Sequence, residues 1–237
     1  MNVFPIRSSP YIFCALFVSV SVTLHAQTHP VPPSQTPGAK PGPSKTAPKY
    51  TEEQMQEMIS KLEDRIQKAA EAVLGRIRKE ETDVHLRFSY LRKPERLDPN
   101  YFKSKEDITI WRDSLKELKD KEIGLDKLYA EADQDLGNAL IQQRINQSIA
   151  DQIKNELLKS FPWNIIKKKS DLMREYIAEH DDLLAFYDKN WGSWKPGSEP
   201  GTATFSDNQL ATTFQSLKEK INATGKQIDE QYKVMLE

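Results

Sequence analysis

Residues 173–194 read MREYIAEHDDLLAFYDKNWGSW, and this stretch decides the fold. Its apolar and aromatic residues Met173, Ile177, Leu184, Tyr187 and Trp191 keep a 4-3 rhythm in which His180 holds the missing seam position. That spacing places them on one side of a helix, to be buried against neighbours. Gly192 suits the position just past a helix end, and Pro196 prevents the helix from resuming. The stretch is read as the anchor helix of the molecule, with Trp191 closing the core and Trp194, beyond Gly192, less essential.

Downstream, after the loop around residues 192–205, Ser206 with Gln209 fits a capping box, and Leu210, Phe214, Leu217, Ile221, Ile228 and Met235 mark a last helix. Upstream, Ile141, Ile145, Ile149, Ile153 and Leu157 repeat every four residues. Four residues overshoot a turn, so this stripe slants around its helix, and residues 140–161 are expected to form a central helix touching several neighbours. Phe161-Pro162-Trp163 breaks it.

The next segment back has the seam Ile108, Trp111, Leu115, Leu118, Glu122, Leu125, Tyr129 and Ala132, with Ser104 or Asp107 as its cap. Glu122 is expected to rotate to the helix edge, since a buried carboxylate demands a partner. Asp133 to Asn138, containing Gly137, is expected to be a turn; one long helix through it is the alternative. Earlier still, Thr51-Glu52-Glu53-Gln54 reads as a capping box. Behind it Met55, Ile59, Leu62, Ile66, Ala69 and Val73 keep the 4-3 rhythm, which restarts through Ile77, Val84, Phe88 and Leu91 after a stutter. The alternation of Val84, Leu86, Phe88 and Tyr90 also fits a strand, but the surviving heptad spacing and the stop at Pro94 favour a helix.

These segments specify an all-α fold: an antiparallel bundle of four to five long amphipathic helices with coiled-coil-like seams over residues 50–237. Residues 27–49 hold 7 of the 14 prolines and almost nothing large and apolar, the composition of an extended, disordered linker. Residues 1–26 contain no acid, one base (Arg7) and an apolar run from Tyr11 to Leu24, which fits a signal peptide cleaved after Ala26, with a retained anchor as the rival. The expected location is therefore exported, periplasmic or secreted. The single cysteine, Cys14, lies in that segment, so the domain relies on packing rather than disulfides.

Without Arg7 the chain carries 33 basic and 35 acidic side chains, which removes the basic excess that would argue for nucleic acid. The clusters Lys167-Lys168-Lys169 and Arg76 to Arg96 are read as solvated faces, with an anionic surface as the sharper alternative. Only His85 and His180 lie in the domain, and neither has a glutamate three residues before it, so the Glu-x-x-His pairing of di-metal bundles is missing. Glu175, Glu179, His180, Asp181 and Asp182 point in too many directions to gather one cation. No catalytic residue, metal ligand or cofactor site is assigned.

Tyr187, Trp191 and Trp194 are the residues chosen for ligand or partner contact, although core closure is the plainer role for such rings. The expected function is non-enzymatic: protein–protein interaction or scaffolding in the cell envelope, with self-association allowed. One alternative is a ligand-binding or sensor bundle using the aromatic end. Another is a periplasmic chaperone-like protein; Thr51–Gln54 resembles helix starts in small helical periplasmic stress chaperones, and capping alone accounts for that likeness. A deep cavity beside Trp191 would favour the ligand reading, and a packed aromatic end with an exposed apolar stripe elsewhere would favour partner contact.

Overall fold

The computed structural model describes residues 50–197 and 202–236. The linker 27–49 and the signal segment 1–26 lie outside the described residues. The chain divides into two compact units, Met1–Asp64 and Arg65–Glu237. Among the described residues are five α-helices: α1 (Glu52–Leu91), α2 (Lys105–Gln142), α3 (Gln147–Lys159), α4 (Trp163–Lys189) and α5 (Asn208–Leu236). Two short 3-10 turns, Pro94–Leu97 and Pro99–Tyr101, join α1 to α2. A small antiparallel pair of strands, β1 (Trp194–Pro196) and β2 (Ala203–Phe205), precedes α5 and pairs Trp194 with Phe205.

The caps explain the boundaries. The Thr51 amide donates to Gln54 Oε1 at 3.0 Å while the Gln54 amide donates to Thr51 Oγ1 at 3.2 Å, the reciprocal pattern expected of a capping box. α1 then runs as helix through Val84–Leu91 and stops where Lys93, preceding Pro94, is extended. Ser104 donates its amide to Asp107 Oδ2 at 3.0 Å to start α2. At α5 the expected Ser206 cap is replaced by Asp207, whose Oδ1 accepts from the Gln209 amide at 2.7 Å.

Side-chain contacts fix the directions of the helices in the second unit. Arg76 pairs with Asp135 and Arg87 with Glu117, so α1 and α2 run antiparallel. Arg92 reaches Asp229 and the His85 ring lies on Tyr232, so α1 and α5 are antiparallel as well. Lys169 meets Glu81 and Tyr176 meets Phe88, making α1 and α4 parallel. The result is an up-down-up-down four-helix bundle of α1, α2, α4 and α5. α3 lies against α2, where Lys154 pairs with Asp133.

α4 is the most deeply embedded of these helices. Met173, Ile177, His180, Leu184 and Tyr187 are all buried, as the 4-3 rhythm requires, and so are Lys169, Leu172, Tyr176, Leu183 and Phe186 beside them. Burial on both sides of the seam is what a helix acquires when it has neighbours on two faces. The expectation that 140–161 would be central is corrected. The only buried residue of α3 is Ala150, and Ile141 and Ile149 are exposed, because a four-residue repeat drifts off any one face.

The expected turn at Asp133–Asn138 is also corrected, since α2 passes through it and ends at Gln142. The chain reverses instead at Arg144, a left-handed residue with φ of 59°, and Asn146 caps α3 by accepting from the Ser148 amide at 3.0 Å. Residues 105–160 therefore form two helices, and the reversal at Arg144 lies seven residues beyond Gly137.

Candidate functional site

The aromatic end collects side chains from four parts of the second unit. Tyr187 is fully buried and donates its hydroxyl to the Leu97 carbonyl at 2.9 Å, tying α4 to the 3-10 turn. Around it stand Phe102 at 5.1 Å, Trp194 at 5.7 Å and Phe214 at 6.1 Å between ring centroids. Phe205 of β2 lies 5.1 Å from Phe214 and 5.8 Å from Phe186. Such offset and edge-on arrangements gain from both burial and ring quadrupoles.

The three chosen residues are thus brought together, but in an order that corrects the expectation for Trp191. α4 ends at Lys189, and Gly192 turns the chain with φ of +82°, so the helical seam stops at Tyr187. Trp194 returns on β1 to cover Tyr187, and Trp191 stacks edge-on against Trp194 at 5.4 Å. Both tryptophans are half-buried. Tyr187 closes the core, Trp194 covers it and Trp191 is outermost.

A second assembly lies mid-bundle and was missed from sequence. Lys169 of α4 is 1% exposed, and its Nζ donates to Glu81 Oε1 of α1 at 2.6 Å. The other Glu81 oxygen accepts from the Tyr129 hydroxyl of α2 at 3.0 Å. The Tyr232 ring of α5 lies 5.5 Å from Lys169 Nζ and 4.3 Å from the His85 ring. All four bundle helices therefore meet around one ammonium.

Glu122 shares this layer, correcting the expectation that it sits at a helix edge. It is 2% exposed and neither of its oxygens has a hydrogen-bond partner. Ser170, its polar neighbour, spends its hydroxyl proton on Asp126 at 2.7 Å. Burial pushes the Glu122 pKa up to about 7, against the pull of the Lys169 ammonium. Burial also raises the Tyr129 and Tyr232 phenols, with the Glu81 charge adding to it, so both stay neutral donors. The Glu122 carboxyl is thus poised near neutrality in the buried interior of the bundle.

His180 is buried about three turns further along α4 than Lys169. Its Nδ1 lies 3.0 Å from the Tyr176 carbonyl, which can only accept, so Nδ1 carries the proton and the unpartnered Nε2 is bare. Burial first, and the Arg92 charge as well, drop its pKa to about 4. Arg92 itself bonds Asp229 at 3.1 Å and lies so close to Gly225 that a Cβ there would stand 2.7 Å from its Nη1. Glu175, Asp181 and Asp182 are exposed while His180 faces inward, and among the described residues no three His, Cys, Asp or Glu side chains come together as a metal site.

The described clefts lie elsewhere: one of about 580 Å³ between α1 and α2 lined by Arg76, Asp83 and Lys121, another of about 500 Å³ along α3 beside Trp163. Arg76 and Lys121 in the first are already paired with carboxylates. No described helix is long and apolar enough to cross a membrane. Comparison with known proteins found no family model, no curated protein and no solved structure that matches the chain.

In the first unit, by contrast, apolar side chains lie open. Tyr50, Met55, Met58 and Ile59 are 54%, 49%, 54% and 48% exposed. The last three share one face of α1 with the half-buried Leu62 and Ile66.

Proposed function

We propose that this chain is an exported, non-enzymatic helical-bundle protein that acts by protein–protein contact, as an interaction or scaffold component of the cell envelope. The observation that carries this reading is the position of its exposed apolar surface. Met55, Met58 and Ile59 form a continuous open stripe on α1, whereas the aromatic end uses its rings on one another. A contiguous apolar face left in water marks an association surface more often than a scatter of single residues does. Export rests on the apolar segment 11–24 with its small-residue end, and the proline-rich 27–49 supplies a spacer.

The experiment compares wild type with a Met55→Glu, Ile59→Glu double variant, cross-linking each to an envelope fraction of the producing cell. The variant is expected to melt within about 2 °C of wild type, as surface substitutions do, and to lose most of its cross-linked adducts. Retention of the adducts, together with saturable quenching of Trp191 and Trp194 fluorescence by a small molecule, would move the function to the aromatic end.

A further inference from the structure

We infer that the corner between α1 and α2 carries an oxyanion site for a phosphate-bearing group, in which Arg96 supplies the fork and Lys93 a second positive charge. All of its residues lie in the second unit, and it does not require the protein-contact reading above.

Local structure brings the two cations together. Lys93 ends α1 in an extended conformation, and the Arg96 amide donates to its carbonyl at 2.9 Å to close the 3-10 turn Pro94–Leu97. Leu97 is buried and its carbonyl accepts from Tyr187, which fixes the turn to the bundle. Both side chains then return to one ring. Lys93 Nζ lies 5.2 Å and Arg96 Cζ 4.2 Å from the centroid of Tyr90.

Arg96 is held from three elements at once. Besides Tyr90 of α1, its Cζ lies 4.4 Å from the Trp111 ring of α2 and 4.7 Å from the Tyr101 ring of the second 3-10 turn. Its Nη1 donates to the Tyr101 hydroxyl at 2.9 Å. A stacked guanidinium keeps its charge and is only weakly hydrated. The rings also immobilise it before a ligand arrives, which removes part of the ordering cost of binding.

No acid neutralises this pair. Arg92 pairs with Asp229, and Arg112, next to Trp111 in the chain, pairs with Asp188. Among the described residues neither Arg96 nor Lys93 has a carboxylate within 4.0 Å. Asp98 accepts instead from the amide and the side chain of Asn100, and Asp107 caps α2. Glu95, between the two cations in the turn, is exposed and pairs with neither.

The groups left to bind are donors. Lys93 offers its ammonium, Arg96 the N–H groups that Tyr101 does not take, and Tyr101, having accepted from Arg96, keeps its own O–H to give. Tyr90 and Tyr101 are 43% and 44% exposed, so the array opens to solvent. Donors carrying two positive charges fit an oxyanion and repel a cation. A phosphate monoester, with a charge of about −1.5 to −2 near neutral pH, matches them better than a single carboxylate. The same donors serve a soluble phosphate and the phosphate of a lipid headgroup.

The test uses the full chain and follows guanidinium Nε–H signals by NMR as inorganic phosphate is added near neutral pH at constant ionic strength. The expected result is a saturable shift of the Arg96 signal, half-complete at about 1 mM or below, while the paired Arg76 and Arg174 do not respond. Arg96→Lys keeps the charge but loses the fork and the stack, and should weaken binding by about fivefold or more. Lys93 is exposed, so Lys93→Ala leaves the fold intact and should weaken binding by about threefold. In a second arm, wild type and Arg96→Lys, both carrying residues 1–26, are pelleted with phosphatidylglycerol and with phosphatidylcholine vesicles. Selective loss of phosphatidylglycerol binding by the variant assigns the site to lipid headgroups. Equal pelleting of the two proteins beside a saturable phosphate shift assigns it to a soluble phosphate group. A response that stays linear to about 20 mM phosphate, with equal pelleting, would overturn the site. So would the same shift from added chloride, or undiminished phosphate binding by Arg96→Lys.

Discussion

α1 is one helix whose apolar stripe meets two different fates. From Ala69 onward the stripe is buried, with Val84 and Phe88 fully inaccessible, while Met55, Met58 and Ile59 carry the same rhythm into solvent. The intrinsic helical signals are alike in both stretches, so what separates them is what each has to pack against. Periodicity states that a face is apolar; it does not state whether the cover comes from the same chain.

The contrast can be broken most forcefully at its buried end. Phe88 packs edge-on against Tyr176 at 5.1 Å, and Phe88→Ala is expected to cost about 3–5 kcal/mol in denaturant unfolding, through lost transfer energy and a cavity. Lys169→Met should cost a similar ~3–5 kcal/mol, because Glu81 and Glu122 would then share a buried layer without their cation. A small effect at either position would mean that the bundle core is organised differently.

The buried ionisable groups sharpen the comparison through pH. Glu122 has a folded pKa raised from 4.5 to about 7, so its contribution is fully present below pH 4.5 and is lost as pH rises through 7. His180 has a folded pKa lowered from 6.5 to about 4, so the unfolded chain takes its proton first and stability is lost as pH falls from 6.5 through 4. Each shift corresponds to roughly 3 kcal/mol. Their slopes oppose each other and nearly cancel between pH 4 and 7. Glu122→Gln removes one slope, so its stability relative to wild type should rise by roughly 3 kcal/mol from pH 4 to pH 7. A difference that stays flat across that range would show that Glu122 is not desolvated.

Smaller effects are expected at the aromatic end. Trp194 covers Tyr187 and pairs with Phe205, whereas Trp191 contacts Trp194 from outside. Trp194→Ala should cost about 1–3 kcal/mol and Trp191→Ala about 1 kcal/mol or less, both half-buried rings losing less than a core tryptophan. The reverse ranking in thermal melts would restore Trp191 as the closing residue. Smallest of all, Ile59→Ala should change the stability of dilute protein by under about 0.5 kcal/mol.

The helices and the bundle were legible from periodicity because their burial stripes and caps are local. Thr51 and Gln54 sit three residues apart, and Pro94 ends a helix by itself. Sequence and structure part where the deciding partner is distant or the local cue is absent. Glu122 is tolerated inside because Lys169, 47 positions along the sequence, supplies the charge, and nothing near Glu122 announces it. A lysine among the apolar residues of α4 was the available signal, concealed in the Lys167–Lys169 run. Gly137 suggested a turn, yet a helix bears one glycine at a cost of about 1 kcal/mol. The real reversal uses Arg144 in a left-handed conformation that usually signals itself with glycine. Extending the seam of α4 to Trp191 carries it one step past the end of the helix at Lys189.

Hydrogen exchange along α1 tests the difference between its two stretches most directly. In dilute protein, amides from about residue 56 to 63 should exchange with little protection while those from 77 to 91 open only with global unfolding. Strong protection of residues 56–63 at all concentrations would contradict the account, since the stripe would then be covered by its own chain.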